Sequence, residues 1–413
     1  MRNYSIKNTK WLNKGHELDY IAALIMRPDN EVYLVGSANE MRAFYERIGT
    51  ELLSRGQIKG AVDTESGERI EGVDIPIVYD SDIPRSINTI IVCTAFERKK
   101  YESTRQLFQG YGFEENRQFF QGEIYAIIYE VYVLDRICLD RVEIFLTSHC
   151  PLRCEKCIAY IPYFKEYSHT PIDKLKSDAD CLLNKVDYIN KYKVLGGDGL
   201  VYPDLVEYID YVCVKYGHKI GSVRIGTNGT IIPSESVLDI CMKYDVIMDV
   251  SDYKCTIGER SKLDQIIETC NKAGVKVDIK RTGEQWLDMG FPNRLPGEKD
   301  EDGLKNHYYM CSMFCRDFDD GKLFHCCTNF AAVKAGLYPL NSNDYFDFRK
   351  EFSKKELMEY EIGFCDIGHT SFCKVCRGCS DEVNPFHTEV AKQLIERTES
   401  DGTKEWRAKN GIH

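Results

Sequence analysis

The 413-residue chain contains no run of eighteen apolar residues, the length a helix needs to cross a membrane. Its first twenty residues, MRNYSIKNTKWLNKGHELDY, are polar and lack the apolar centre of a signal peptide. Together these absences predict a cytoplasmic protein with no membrane partner. Positive charge is also in short supply, with 54 Lys+Arg against 65 Asp+Glu and a net charge of −11. No basic cluster is interleaved with aromatics, so nucleic acid and acidic surfaces are excluded as partners. The three-glycine dinucleotide fingerprint is missing as well, since only Gly36 marks the first strand-to-helix turn.

Cysteine, in contrast, is abundant at 18 residues. In a long chain without an export signal, clustered cysteines point to metal rather than to disulfides. Cys93, Cys138, Cys181, Cys213, Cys241 and Cys270 stand alone in apolar periodic segments and read as small buried hydrophobes. Cys255 follows a strand end. The other eleven form three groups: 150/154/157, 311/315/326/327 and 365/373/376/379.

Hydrophobic periodicity predicts an α/β protein. Residues 31–37, 58–64 and 88–96 read as strands, and NEMRAFYERIGTELLSRG between the first two places Met41, Phe44, Tyr45, Ile48 and Leu52 at helical spacing. This βαβ pattern predicts a Rossmann-like domain over 1–135. Asp63 ends its second strand, where such folds hold a ribose hydroxyl. The competing reading is a docking or substrate-presenting domain that keeps only the fold. The alternation restarts with strands near 142–147, 192–195, 222–226, 246–250 and 275–280, and helices near 172–189, 203–216, 234–243 and 260–272. Consecutive β-α units predict a partial (β/α)6 TIM-type barrel over 136–300. Chemistry in such folds gathers at the C-terminal strand ends. There the chain carries HCPLRCEKC, GGDG, TNGT and SDY in turn. A cysteine-rich extension fills 301–385, and the charged segment 386–413 reads as a closing helix.

Cys150, Cys154 and Cys157 pose a question of number. Thiolates at this spacing hold zinc or iron–sulfur clusters. Zinc needs a fourth ligand, for which His149 and His169 are at hand. A four-iron cluster held by three cysteines keeps one iron open.

Cys-x3-Cys-x2-Cys after the first barrel strand resembles the radical S-adenosylmethionine (radical SAM) enzymes. The resemblance covers about residues 140–385. It implies a [4Fe-4S] cluster on Cys150, Cys154 and Cys157, whose open iron chelates the amino and carboxylate groups of SAM. VLGGDGLVYPDL resembles the family's second-strand motif, which receives the methionyl ammonium. Gly196, Gly197 and Asp198 match it, with Asp for Glu and Gly199 for Pro. Thr227 and Asn228 match the third-strand motif, and Ser251 the fourth-strand ribose motif. The family's aromatic before the third cysteine is replaced by Lys156, so Tyr160 or Tyr163 is left to supply the surface for adenine.

The later cysteines resemble the auxiliary-cluster extensions of the same family, called twitch when one cluster is held and SPASM when two. Cys311, Gly321 and Cys326 fit the entry signature, and Cys373 and Cys376 complete a set. One auxiliary [4Fe-4S] cluster is expected on Cys326, Cys373, Cys376 and either Cys311 or Cys315. Two clusters and a zinc ribbon are the alternatives. Cys255, just past the rim, is a candidate hydrogen-atom donor to a substrate radical. The resemblance implies hydrogen abstraction from a polar substrate, a sugar or nucleotide-linked sugar, by oxidation or epimerisation. It also implies a flavodoxin- or ferredoxin-type electron donor. Modification of a ribosomal peptide is the alternative, and a non-catalytic iron–sulfur or zinc protein is the reading from another class.

Overall fold

The computed structural model describes residues 6, 10–64, 75–281, 283, 285–311 and 315–394. The chain divides into two compact units. The first comprises 1–137 and 352–366, and the second 138–351 and 367–413. Among the described residues no helix is long and apolar enough to cross a membrane.

The first unit is built on four parallel strands: β1 (Glu31–Gly36), β2 (Ile58–Asp63), β3 (Thr89–Cys93) and the short β4 (Phe119–Gln121), in the order β2-β1-β3-β4. β3 is buried along its whole length, as expected of a parallel strand covered on both faces. The turn after β1 is sealed by the protein's own groups. Ser37 and Glu40 form a capping box, and the buried Glu40 carboxylate also accepts the Phe96 amide at 2.9 Å. A carboxylate thus already sits where a phosphate would approach the helix N-terminus. Sequence periodicity did not reveal the return of 352–366 to this unit. Its helix, Lys354–Glu361, buries Glu359, which accepts Trp11 Nε1, the Gly15 amide and the Glu17 amide at 2.6–2.8 Å. Cys365 is also in this unit, buried, with its carbonyl accepting the Trp11 amide.

The second unit carries β5 (Cys138–Thr147), β6 (Tyr188–Gly196), β7 (Ile220–Thr227), β8 (Ile247–Asp252) and β9 (Val277–Arg281). They pair in chain order and all in parallel. Helices Ile172–Leu183, Leu205–Tyr216, Glu235–Tyr244 and Leu263–Ala273 connect them, close to the expected positions. Among the described residues the sheet has five strands, one fewer than the six expected of the barrel.

Alternation assigns the two faces of this sheet. Ile144, Val194, Ile225 and Val250 are buried apolar residues, while the intervening positions carry a row of charge. Glu143, Lys193 and Arg224 are in register across β5, β6 and β7. Asp249 ties the row together, accepting Arg224 Nε at 2.9 Å and pairing with Lys193 at 3.0 Å. Arg224 also bonds Asp278.

Two short sheets follow. β10 (Gln285–Leu287) pairs with β14 (His387–Glu389), and β11 (Phe318–Asp319), β12 (Lys322–Phe324) and β13 (Tyr345–Asp347) form an antiparallel group. The strand at β14 corrects the helix expected over 386–413. Residues 395–413 of that segment lie outside the described residues. Asp320 and Gly321 both take positive φ, 51° and 67°, which gives the tight two-residue hairpin between β11 and β12. Asp178, on the first barrel helix, accepts both hairpin amides, from Asp320 at 3.0 Å and from Gly321 at 3.1 Å. Replacing Asp178 by Ala leaves these amides unanswered and is expected to cost about 2 kcal/mol. A smaller midpoint in urea unfolding checks this; an unchanged midpoint contradicts it.

Candidate functional site

The cysteine loop begins where β5 ends. Gly197 N donates to the Thr147 carbonyl at 2.7 Å, and Asp198 N donates to the His149 carbonyl at 3.0 Å. The end of β6 is thereby laid against the loop backbone. Only glycine permits this approach. A Cβ on Gly196 would stand 2.3 Å from Thr147 O, and one on Gly197 would stand 2.2 Å from His149 O and 2.8 Å from Cys150 Cβ.

Asp198 is buried and turns toward the neighbouring strand end. Its Oδ1 accepts the Leu200 amide at 2.9 Å, while Oδ2 accepts Thr227 Oγ1 at 2.9 Å and the Asn228 amide at 2.8 Å. Burial raises its pKa, and these three donors oppose the rise. Asn228 continues the connection, its Nδ2 donating to Cys150 Sγ at 3.3 Å. Past β8, Tyr253 faces the three thiols. Burial raises its hydroxyl pKa, a hydrogen bond to Ser251 opposes the rise, and the thiols of Cys154, Cys157 and Cys150 add to it. Tyr253 meets Trp286 edge-on, ring centres 5.4 Å apart. The structure therefore gathers Cys150, Cys154, Cys157, Gly196, Gly197, Asp198, Thr227, Asn228 and Ser251 at one rim. Sequence reasoning passed over Tyr253 and Trp286, although Tyr253 stands inside the SDY motif.

All three thiols are free. Burial pushes Cys150 and Cys154 up to about 12, and neighbouring thiols add to both shifts. Cys157 is raised by burial too, while the backbone amides of Ile161, Ala159 and Tyr160 donate to its sulfur. Leu152 N reaches Cys150 at 3.4 Å, and Gln393 Nε2 reaches Cys154 at 3.5 Å.

The later cysteines separate into two groups. Cys311, Cys326, Cys373 and Cys376 act on one another. Burial pushes Cys326 up to about 12 with Cys311 adding to it, and Cys373 and Cys376 are raised by burial and then by Cys311 and Cys326. Donors reach this set as well, with Thr370 Oγ1 3.2 Å from Cys373, Gly378 N 3.3 Å from Cys376 and Cys379 N 3.3 Å from Cys311. Cys315, expected among the ligands, is placed elsewhere. It hydrogen-bonds Cys327, which lowers its pKa, beside Glu143, Arg141 and Lys193 of the charged row. Adjacent Cys326 and Cys327 thus serve different groups, because Cys326 is extended and Cys327 opens a helix.

Other expected residues fall outside these sets. Cys255 is exposed, with its sulfur near Thr256 Oγ1. His149 stacks on His169 at 4.4 Å. Tyr160 is buried, packs edge-on against Phe291 and faces Cys376 and Cys326, so it is not exposed at the rim for adenine. Lys156 pairs with Asp288 at 3.3 Å.

Among the described residues no three His, Cys, Asp or Glu side chains are gathered tightly enough for a single metal ion. A tetrahedral zinc site would hold its sulfurs about 3.8 Å apart, given Zn–S bonds of ~2.3 Å. The donor chemistry fits a larger iron–sulfur group. Buried thiols become thiolates only beside a counter-charge, and amide donors to sulfur are what such clusters use.

No protein-family model matches the chain. A curated relative, the antilisterial bacteriocin subtilosin biosynthesis protein AlbA of Bacillus subtilis (strain 168), is 33% identical over 93 residues. The match takes in 22% of this chain and spans only 19% of that relative's length. Among solved structures, BtrN in complex with AdoMet and 2-DOIA aligns with a TM-score of 0.41 at 14% identity, over 60% of this chain and 98% of BtrN. Streptococcus suis SuiB bound to S-adenosylmethionine aligns with a TM-score of 0.29 at 14% identity, over 50% of this chain and 47% of SuiB. The chain is similar to radical SAM enzymes. Its strand-end motifs carry that resemblance.

Two outcomes follow from this geometry. Gly197→Ala forces apart the β6 end and the cysteine loop, so iron reconstituted on Cys150, Cys154 and Cys157 should be lost while iron on the four-cysteine set stays; equal retention of both contradicts the account. His307, buried against Gly378, is lowered to about 4 by burial. An unfolded histidine takes its proton near 6.5, so this contribution to stability is complete above that pH. It falls by about 1.4 kcal/mol per pH unit between 6.5 and about 4. Urea unfolding across this window should show the slope, and His307→Gln should flatten it.

Proposed function

We propose that this chain is a radical SAM enzyme in which Cys150, Cys154 and Cys157 hold a [4Fe-4S] cluster with one open iron. Cys311, Cys326, Cys373 and Cys376 hold one auxiliary cluster. The observation that carries this reading is the separation of the thiols into a set of three and a set of four. Three thiolates leave one iron of a cubane without a protein ligand, whereas four leave none. One electron from a flavodoxin- or ferredoxin-type donor would cleave SAM bound there to methionine and a 5′-deoxyadenosyl radical, which would abstract hydrogen from substrate.

The chain's own groups do the positioning. Asp198 fixes the Thr227–Asn228 turn through its Oδ2, so its contribution to SAM binding is indirect. Asn228 steadies the first thiolate. Gly196, Gly197, Thr227 and Ser251 form the wall against which SAM lies. Tyr253 and Trp286 supply the aromatic surface that Lys156 does not.

For the substrate we propose a ribosomal peptide, because the stretch of 33% identity is shared with a bacteriocin biosynthesis protein. A polar small molecule such as a sugar or nucleotide-linked sugar is the second reading, favoured by the charged row Glu143, Lys193, Arg224 and Asp249 on the inner face of the sheet. The first unit then serves as a docking or substrate-presenting domain.

The test is SAM cleavage. Purified without oxygen, reconstituted and given SAM and dithionite, the protein should release 5′-deoxyadenosine. Cys150→Ala should abolish release and keep the auxiliary iron, while Cys326→Ala should lose the auxiliary iron and keep SAM cleavage. No 5′-deoxyadenosine from a fully reconstituted protein contradicts the reading. Mass change in a precursor peptide encoded beside the gene separates the peptide substrate from the sugar.

A further inference from the structure

Lys156 stands between Cys154 and Cys157, where the resemblance calls for an aromatic residue. Its side chain is 12% exposed, and its Nζ lies 3.3 Å from Asp288 Oδ1. The other oxygen of Asp288 faces a second cation, with Arg377 Nη1 3.4 Å from Oδ2. Arg377 immediately follows Cys376. One buried carboxylate, 6% exposed, is thus shared by a cation from each cysteine loop.

Asp288 is held firmly on the side of the second loop. Its amide donates to the Phe386 carbonyl at 2.8 Å, and its carbonyl accepts Asn384 Nδ2 at 3.0 Å. The same Asn384 nitrogen donates to the Gly378 carbonyl at 2.9 Å, and Arg377 N donates to the Met289 carbonyl at 3.0 Å. Gly290 N caps Asp288 Oδ1 at 2.9 Å, and the Arg377 guanidinium stacks on Phe386 at 4.1 Å. Lys156 reaches into this fixed frame from the three-cysteine loop.

Burying such charges gains little stability over an apolar core of the same shape, because desolvation offsets the attraction. What a shared carboxylate does supply is a fixed distance between its partners. The three side chains also sum to one positive charge, one residue from a ligand in each loop, and positive charge beside an iron–sulfur cluster favours its reduced form.

We infer that Asp288 is a positioning residue that ties the two cysteine loops together through Lys156 and Arg377, so that a change in one loop is felt by the cluster of the other. This rests on the reading of both cysteine sets as cluster ligands. The device makes the two clusters a coupled pair rather than two independent centres, and it accounts for the lysine at position 156.

The test is an EPR-monitored redox titration of the reconstituted holoenzyme carrying Lys156→Met, Arg377→Met, both together, or Asp288→Asn. Lys156→Met should shift the auxiliary cluster to lower potential, and Arg377→Met should do the same to the SAM cluster. The double variant should shift by less than the sum, as coupled groups do. Asp288→Asn should alter both signals. Shifts confined to the cluster of the substituted loop, or strictly additive shifts, overturn the inference. Hydrogen exchange provides a readout independent of iron and of Asp288→Asn folding well. In Lys156→Met the amides of Arg377 and Gly378 should exchange faster, and unchanged exchange there overturns the bridge. Iron analysis keeps the two proposals apart. A chain that takes up no iron on either set defeats the enzyme reading, and the exchange result still decides the bridge.

Discussion

The site depends on one close approach, in which the Gly196–Gly197 backbone lies against the carbonyls of Thr147 and His149. Two amide hydrogen bonds made there hold the start of the cysteine loop to the end of the neighbouring strand. From that contact the order propagates sideways. Asp198 follows the glycines directly and spans to Thr227 and Asn228, and Asn228 returns to the first cysteine sulfur. The circuit closes on the residue it began beside, so a single added methyl group at Gly197 disturbs every member.

Burial does the chemical work on the thiols. Cys150, Cys154, Cys157, Cys326, Cys373 and Cys376 are all raised by their surroundings, which a metal-free chain meets by staying protonated. The exception among the clustered cysteines is instructive. Cys315 is lowered by Cys327, next to the cations Arg141 and Lys193, and it belongs to the charged interior rather than to either ligand set. Ligand sets and structural thiols are therefore told apart by what surrounds them.

Much of this was legible in the sequence. Apolar runs of strand length, each followed by a helical pattern, placed all five barrel strands, and the motifs at their ends proved to be neighbours in space. What was not legible has physical reasons. Spacing alone does not separate Cys311 from Cys315, whereas in space Cys311 neighbours Cys326 and Cys315 neighbours Cys327. The segment after Phe386 is rich in helix-favouring residues, yet pairing with Gln285–Leu287 makes His387–Glu389 a strand, since partner contacts override weak local preference. Lys156 looked anomalous because its partner Asp288 is remote in sequence. The return of 352–366 to the first unit rests on a buried carboxylate, Glu359, answering donors near the N-terminus, and no local pattern announces it.

Three cysteines are proposed to leave one iron open, with SAM as its occupant. Electron-nuclear double resonance on the reduced holoenzyme with SAM labelled by 15N at the amino group and 17O at the carboxylate addresses this directly. The account predicts hyperfine coupling from both labels to the cluster held by Cys150, Cys154 and Cys157. A reduced, fully assembled cluster that shows coupling to neither label would contradict it.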